Sequence, residues 1–322
     1  MIPKRRLLTL LTLSTLLPSL GRAATAPAVL TLWPEGVPAA RRADAPAARG
    51  DLGPERVDAN GSISNVSQPT LTIVPPAVDR HLSPYGTAVI LCPGGGYSYL
   101  SANREGQQYA AWLSTLGITT FILKSRLQEW GHPAPLQDVL RAVRLVRSRA
   151  AEFGVDPRRI GVMGSSAGGH LAASASTLFD HADGRTGAAL DTVSARPDFA
   201  VLVYPVITMT DPAAHAGSRK ALLGADPSPA LLAQMSLEQQ VTAATPPTLL
   251  LHTQGDKSVP VQNSLLYYQA LTRAGVPAEL YVFEQGGHGI GMRDGLGTAS
   301  AWPRRAEDWL RQRGLLGKEA AR

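Results

Sequence analysis

GVMGSSAGGH, Gly161 to His170, sets two adjacent serines among glycines, and the residues around them decide what the segment is. The run RIGVMG that leads into it is short, apolar and β-branched, as a buried strand is, and the following AGGHLAASASTLF has the small residues of a helix that packs closely on a sheet. A strand that turns sharply into a helix holds the turning residue at strained backbone angles, so the residues two before and two after it must be small. Ser166 has Gly164 and Gly168 at those positions, whereas Ser165 has Met163 and Ala167. Only Ser166 satisfies the requirement.

Outward from this turn the chain alternates. TLTIV (70–74), TAVILC (87–92), ITTFIL (118–123), RIGVMG (159–164), FAVLVY (199–204), TLLLHT (248–253) and ELYVFE (279–284) read as strands, with helical periods such as PLQDVLRAVRLVRSRAAEFG and VQNSLLYYQALTRAG between most of them. Continuous apolar strands alternating with helices predict an α/β fold, a mostly parallel central sheet with helices on both faces. The rhythm breaks once, at 207–246, where short helical pieces and no strand predict a small cap insertion over the carboxyl ends of the strands. The catalytic domain is expected to run over 69–316.

The N-terminal 68 residues stand apart. Lys4, Arg5 and Arg6 precede the apolar run LLTLLTLSTLLPSL, and small residues near Ala23 complete an export signal over 1–23, by the general or the twin-arginine route. Its removal takes away four of the 31 basic residues against 25 acidic ones, so the formal charge falls from +6 to +2. The remainder carries no basic cluster suggesting nucleic acid, and no membrane contact is expected once the signal is gone. Residues 24–68 are rich in Ala, Pro, Arg and Gly without a sustained period, an irregular leader in which LWPEGVP is apolar enough to dock. Cys92 is the single cysteine, which excludes an intrachain disulfide and a cysteine-based metal site.

A serine nucleophile needs a base, a carboxylate to orient that base, and donors for the oxyanion. CPGGGY (92–97) follows a predicted strand, and its glycines let backbone N–H groups face a ligand; Gly95 and Gly96, with the N–H of Ala167, are the oxyanion candidates. A phosphate cradle fits poorly, because neither G-x-G-x-x-G nor G-x-x-x-x-G-K-[ST] can be laid on these residues. Among seven histidines, His288 in QGGHGIG lies on a Gly-rich loop after a strand. His252 ends a strand and is a weaker contender, and His170 would pack within its helix. Asp256, in the turn after TLLLHT, is the candidate carboxylate, with Asp211 and Asp226 in the insertion as alternatives. Tyr97, Ser98 and the loop-borne Trp130 are candidates for contact with substrate.

GSSAGGHLA, CPGGGY, HTQGDKSVPVQNS, FEQGGHGIGM and the leading LWPEGVP together resemble the α/β-hydrolase family of exported carbohydrate acetyl and feruloyl esterases, over roughly residues 31–312. The resemblance implies an α/β-hydrolase fold and a triad of Ser166, Asp256 and His288. It also implies an oxyanion hole on the Gly94–Gly96 loop and Ala167, no metal or other cofactor, and an acylated carbohydrate or small ester as substrate. Two positions depart from the family pattern: Ser165 stands where an aromatic is usual and Ser125 where tyrosine is usual. Both substitutions predict a wider pocket, with Gly94 and Ser165 among the residues that meet substrate. A general short-chain carboxylesterase, a peptidase of the prolyl-oligopeptidase type and a catalytically silent binding protein are the rival expectations.

Overall fold

In the computed structural model residues 28–77 and 86–317 are described; the export segment expected at 1–23, and His81, lie outside them. All seven apolar runs form strands, namely β4 (Thr70–Val74), β5 (Ala88–Cys92), β6 (Thr119–Lys124), β7 (Ile160–Ser165), β8 (Ala200–Val203), β9 (Thr248–Thr253) and β10 (Ala278–Phe283). The leader adds an edge strand, β1 (Val29–Thr31), and a ribbon of β2 (Arg56–Val57) and β3 (Ile63–Ser64). Pieces of two or three residues are too short to show a period, which is why the sequence reads as irregular there. The sheet order is β1-β4-β6-β5-β7-β8-β9-β10, parallel from β6 to β10 and antiparallel where β1 and β4 join.

Alternate residues of the central strands feed two cores. Ile90, Val162, Leu202 and Leu250 face α2 (Ala134–Ser148), α4 (Ser166–Thr177) and α7 (Gln262–Arg273), which supply Val139, Leu171 and Leu271. Val89, Met163, Val201 and Leu249 face the other way, toward α1 (Gln108–Thr115) and α8 (Trp302–Gln312), where Tyr109, Trp302 and Trp309 are buried. Each such side chain contributes about 1.5–3 kcal/mol of burial, and the two-sided covering explains why the strands read as unbroken apolar runs. The short α3 (Ala150–Phe153) follows α2, and the 207–246 segment holds α5 (Ala216–Leu223) and α6 (Pro229–Gln234). Among the described residues no helix is long and apolar enough to cross a membrane.

Two features place the site. The chain leaves β5 for β6 on one side and returns to β7 on the other, which opens a crevice at the carboxyl ends of β5 and β7. Cys92 is level with Gly164 across that pair, so the glycine loop and the serine turn leave the sheet side by side. The leader, for its part, docks through Leu32 and Trp33, both buried. Trp33 Nε1 donates to Asp138 Oδ1 at 2.7 Å, and Asp138 forms a fully buried ion pair with Arg126 at 2.8 Å. Arg126 also donates to the carbonyl of Pro38 at 2.9 Å and lies 5.6 and 5.2 Å from the ring centroids of Trp33 and Trp130. This buried charge is satisfied on every side, as a charge out of water must be.

Candidate active site

Ser166 is the first residue of α4, with φ of 54°, a left-handed conformation that costs a non-glycine residue of order 1–3 kcal/mol. The flanking glycines are required by contact. A Cβ on Gly164 would lie 2.1 Å from the carbonyl oxygen of Gly168, and one on Gly168 would lie 2.1 Å from that of Cys92. The neighbouring Ser165 is turned into the protein, 1% exposed, and its hydroxyl donates to Tyr109 Oη at 3.3 Å. It meets no substrate there, which corrects its expected role.

The loop after β10 brings His288 Nε2 to 2.9 Å from Ser166 Oγ, and His288 Nδ1 to 2.6 Å from Asp256 Oδ2. Gly286 and Gly287 have φ of 136° and 80°, and a Cβ on Gly286 would meet Thr253 at 2.7 Å, so the loop can cross back over β9 only with glycine. Asp256 Oδ1 accepts from the N–H groups of Ser258 and Val259, both at 2.9 Å. Burial raises the carboxyl of Asp256, but bonds from His252, His288 and Val259 together outweigh it and hold the group below the usual carboxylate range. An ionised Asp256 fixes the proton of His288 on Nδ1 and leaves Nε2 as acceptor for the serine proton. His252 is fully buried behind this pair, bonded to Ser264 Oγ and the Val259 carbonyl. Asp211 pairs instead with Arg219 at 3.1 Å, and Asp226 is exposed.

On the opposite side of Ser166 lies the glycine loop. Neither Gly95 nor Gly96 donates its N–H to an acceptor among the described residues, and both line the cleft beside Ser166. The N–H of Ala167, in the first turn of α4, has no intrahelical partner. Gly94 departs from expectation: its N–H is taken by Glu105 Oε2 at 2.7 Å and is not offered to a ligand. Tyr97 departs as well, being buried with its hydroxyl 2.8 Å from His170 Nδ1, while His170 Nε2 donates to the Met235 carbonyl at 2.9 Å. Trp130 is 7% exposed and donates to the Val66 carbonyl at 2.9 Å, so the leader covers the ring that a loop position suggested for substrate. Ser125 borders a void of about 10 Å³ behind the glycine loop and does not widen the cleft. Of the expected contacts, Ser98 does line it.

The cleft encloses about 440 Å³, and its further walls are Tyr99, Ser101, Arg104, His215 and Ser258. His215 brings the inserted segment to the site; burial, and then His288, push its imidazole down. A second group escapes sequence reasoning altogether. Glu105, 6% exposed, accepts from Gly94 N–H and, at 2.8 Å, from Tyr204 Oη. The Tyr204 ring packs edge-on against His288 with centroids 5.0 Å apart, so one carboxyl props both the oxyanion loop and the imidazole. Burial pushes that carboxyl up, and the bonds from Tyr204 and Gly94 act the other way. Among the described residues no three His, Cys, Asp or Glu side chains form a cluster able to hold a metal ion.

Known proteins resemble the chain in the same region. The BD-FAE family model matches residues 76–271. An acetylxylan esterase of Xylanibacter ruminicola is 36% identical over 214 residues, 65% of this chain and 42% of that protein. Endo-1,4-beta-xylanase B of Butyrivibrio fibrisolvens is 37% identical over 206 residues, 63% of this chain and 32% of that protein; the match thus spans less than half of either relative. The crystal structure of an acetyl ester-xyloside bifunctional hydrolase from Caldicellulosiruptor lactoaceticus shares 38% identity, covers 91% of this chain and 98% of that one, and superposes with a TM-score of 0.74.

Proposed function

The chain belongs to the BD-FAE family, and from that premise we propose that it is a serine esterase removing acyl groups, chiefly acetyl, from plant cell-wall carbohydrate such as acetylated xylan. The observation that carries the reading is the relay of 2.9 and 2.6 Å from Ser166 through His288 to Asp256, facing the unengaged N–H groups of Gly95 and Gly96. In the proposed cycle Ser166 Oγ attacks the ester carbonyl as its proton passes to His288 Nε2. The oxyanion rests on the N–H groups of Gly95, Gly96 and Ala167, each donor worth about 2.7–4 kcal/mol in the transition state. His288 then protonates the departing sugar alcohol, and water, deprotonated by the same imidazole, releases the acid from the acyl-enzyme. Asp256 keeps the imidazole in the required tautomer throughout.

Acetyl is favoured by the walls of the cleft, which offer one aromatic ring, Tyr99, and no large aliphatic side chain. An apolar groove does exist, between β4 and α1, but it shares no residue with the cleft. The carbohydrate half of the reading is supported by the names borne by the relatives in Xylanibacter and Butyrivibrio. The proposal includes export, on the strength of the basic and apolar segments within residues 1–23.

The test is acetate release from acetylated xylan by the chain starting near Ala24, with Ser166→Ala as control and 4-nitrophenyl acetate alongside. Release abolished by the substitution supports the reading. Cleavage of the aryl ester alone makes the protein a general short-chain carboxylesterase, and cleavage of neither makes it a binding protein.

A further inference from the structure

The catalytic cleft does not end at its own walls. Ser98 and Gly217 border it on one side and, on the other, border a larger groove of about 790 Å³. One wall of that groove is the leader, from Arg42 to Gly53, and the other is the start of α5, with Gly217, Lys220 and Ala221. The floor is the Gln128–Glu129 segment, joined to the cleft by the bond from Ser98 Oγ to Gln128 Oε1 at 3.2 Å.

These walls are fastened to each other. Arg42 donates to the carbonyls of Ala221 at 3.2 Å, Leu222 at 3.4 Å and Gln128 at 3.2 Å, and the N–H of Ala47 donates to the Glu129 carbonyl at 2.9 Å. The groove is therefore built in advance of any ligand. Oε2 of Glu129, a side chain that is 8% exposed, has no partner among the described residues, and the exposed ammonium of Lys220 lines the same groove. An ammonium can only donate and a carboxylate can only accept, so a ligand that satisfies both must offer donors and acceptors together.

The charge and composition of the groove narrow the ligand further. Asp44, Asp51 and Glu129 outnumber Arg42 and Lys220, which disfavours an anion. No aromatic or large aliphatic side chain lines it, which disfavours an acyl chain or a lipid. Its volume lies within the roughly 300–1,000 Å³ of sites that hold ligands well beyond the size of an acetyl group. We infer that this groove is the seat of the alcohol half of the ester, and that its occupant is a neutral, polyhydroxylated chain of several sugar units. The inference rests on the proposed esterase function and adds to it that the leader, outside the alternating strand and helix frame, selects a polymer over a small ester.

The experiment compares kcat/KM for acetylated xylotetraose with kcat/KM for 4-nitrophenyl acetate in the wild type, Lys220→Ala and Ala225→Trp. Both positions are exposed, so the core is untouched, and Ala225 lines the groove, so its tryptophan obstructs it. The expected result is that the ratio of the two constants falls about fivefold in the first variant and about tenfold or more in the second, carried by KM, as loss of uniform binding requires. A ratio that stays at the wild-type value in both variants overturns the groove while leaving the esterase reading standing. Wild-type protein that cleaves the aryl ester and ignores acetylated xylotetraose overturns the carbohydrate reading, and the groove assignment with it.

Discussion

Replacing Glu105 with alanine tests whether the oxyanion loop is held from beneath. Glu105 accepts from Gly94 N–H at 2.7 Å and from Tyr204 Oη at 2.8 Å, and both donors are buried. Alanine leaves them unsatisfied at about 1–3 kcal/mol each, and the loop relieves this by turning Gly94. Gly94 lies against the nucleophile, the site of its missing Cβ being 3.0 Å from Ser166 Cβ, so a turn there swings Gly95 and Gly96 off the oxyanion. Loss of one such donor costs about 10²–10³ in kcat, and Glu105→Ala is expected in that range with KM for 4-nitrophenyl acetate little changed. Glutamine retains an acceptor for Gly94, while Tyr204 can turn its proton to Tyr109 Oη, 3.1 Å away; Glu105→Gln should therefore keep kcat within about tenfold of wild type. The assay is steady-state kinetics at pH 7.5, with the thermal midpoint measured to establish that both variants fold. A folded Glu105→Ala protein with wild-type kcat, or equal losses in both variants, would refute the reasoning.

Three further outcomes follow from the site and its supports. Ser165→Ala, which removes one bond to Tyr109, should keep kcat within about threefold, whereas Ser166→Ala should lose at least about 10⁴-fold; esterase assays on the pair check this. Asp138→Ala leaves Arg126 buried without its counter-ion and Trp33 without its acceptor, and should cost about 3–5 kcal/mol in urea unfolding. Burial lowers His170 from 6.5 to about 4, so between those values the unfolded chain binds a proton that the folded chain does not. Stability should then be flat above pH 7 and fall by about 2 kcal/mol between pH 7 and pH 5. His170→Gln should have a shallower slope, and identical urea midpoints at both pH values in the wild type would contradict the reasoning.

Much of this arrangement is legible in the sequence because it depends on local rules. Seven strands announce themselves as apolar runs, and glycine at positions 164 and 168 singles out Ser166 because the strand and helix backbones nearly touch there. Asp256 and His288 each sit on a loop that follows a strand, and the family resemblance joins them to the serine. What stays hidden depends on contacts between distant segments. Glu105 and Tyr204 are 99 positions apart, and nothing in either neighbourhood marks one as the support of the other. Trp130 misleads for the same reason, since a loop tryptophan is exposed or buried according to whether another segment, here the leader around Val66, lies over it. Gly94 reads as equivalent to Gly95 and Gly96, and only the position of Glu105 separates its N–H from theirs.

The bond from Trp33 to Asp138 spans 105 positions, and that span bears on the order of events during folding. The leader leaves the ribosome well before the helix that holds its acceptor, and closing so long a loop is slow and entropically costly before any contact offsets it. Until the leader arrives, Asp138 lacks the Trp33 indole N–H and Arg126 lacks the Pro38 carbonyl, and the interior stays open to water on that flank. A segment made well before its acceptor is thus the one that seals the structure, and a refolding chain shortened beyond Trp33 should stall as a partly hydrated intermediate.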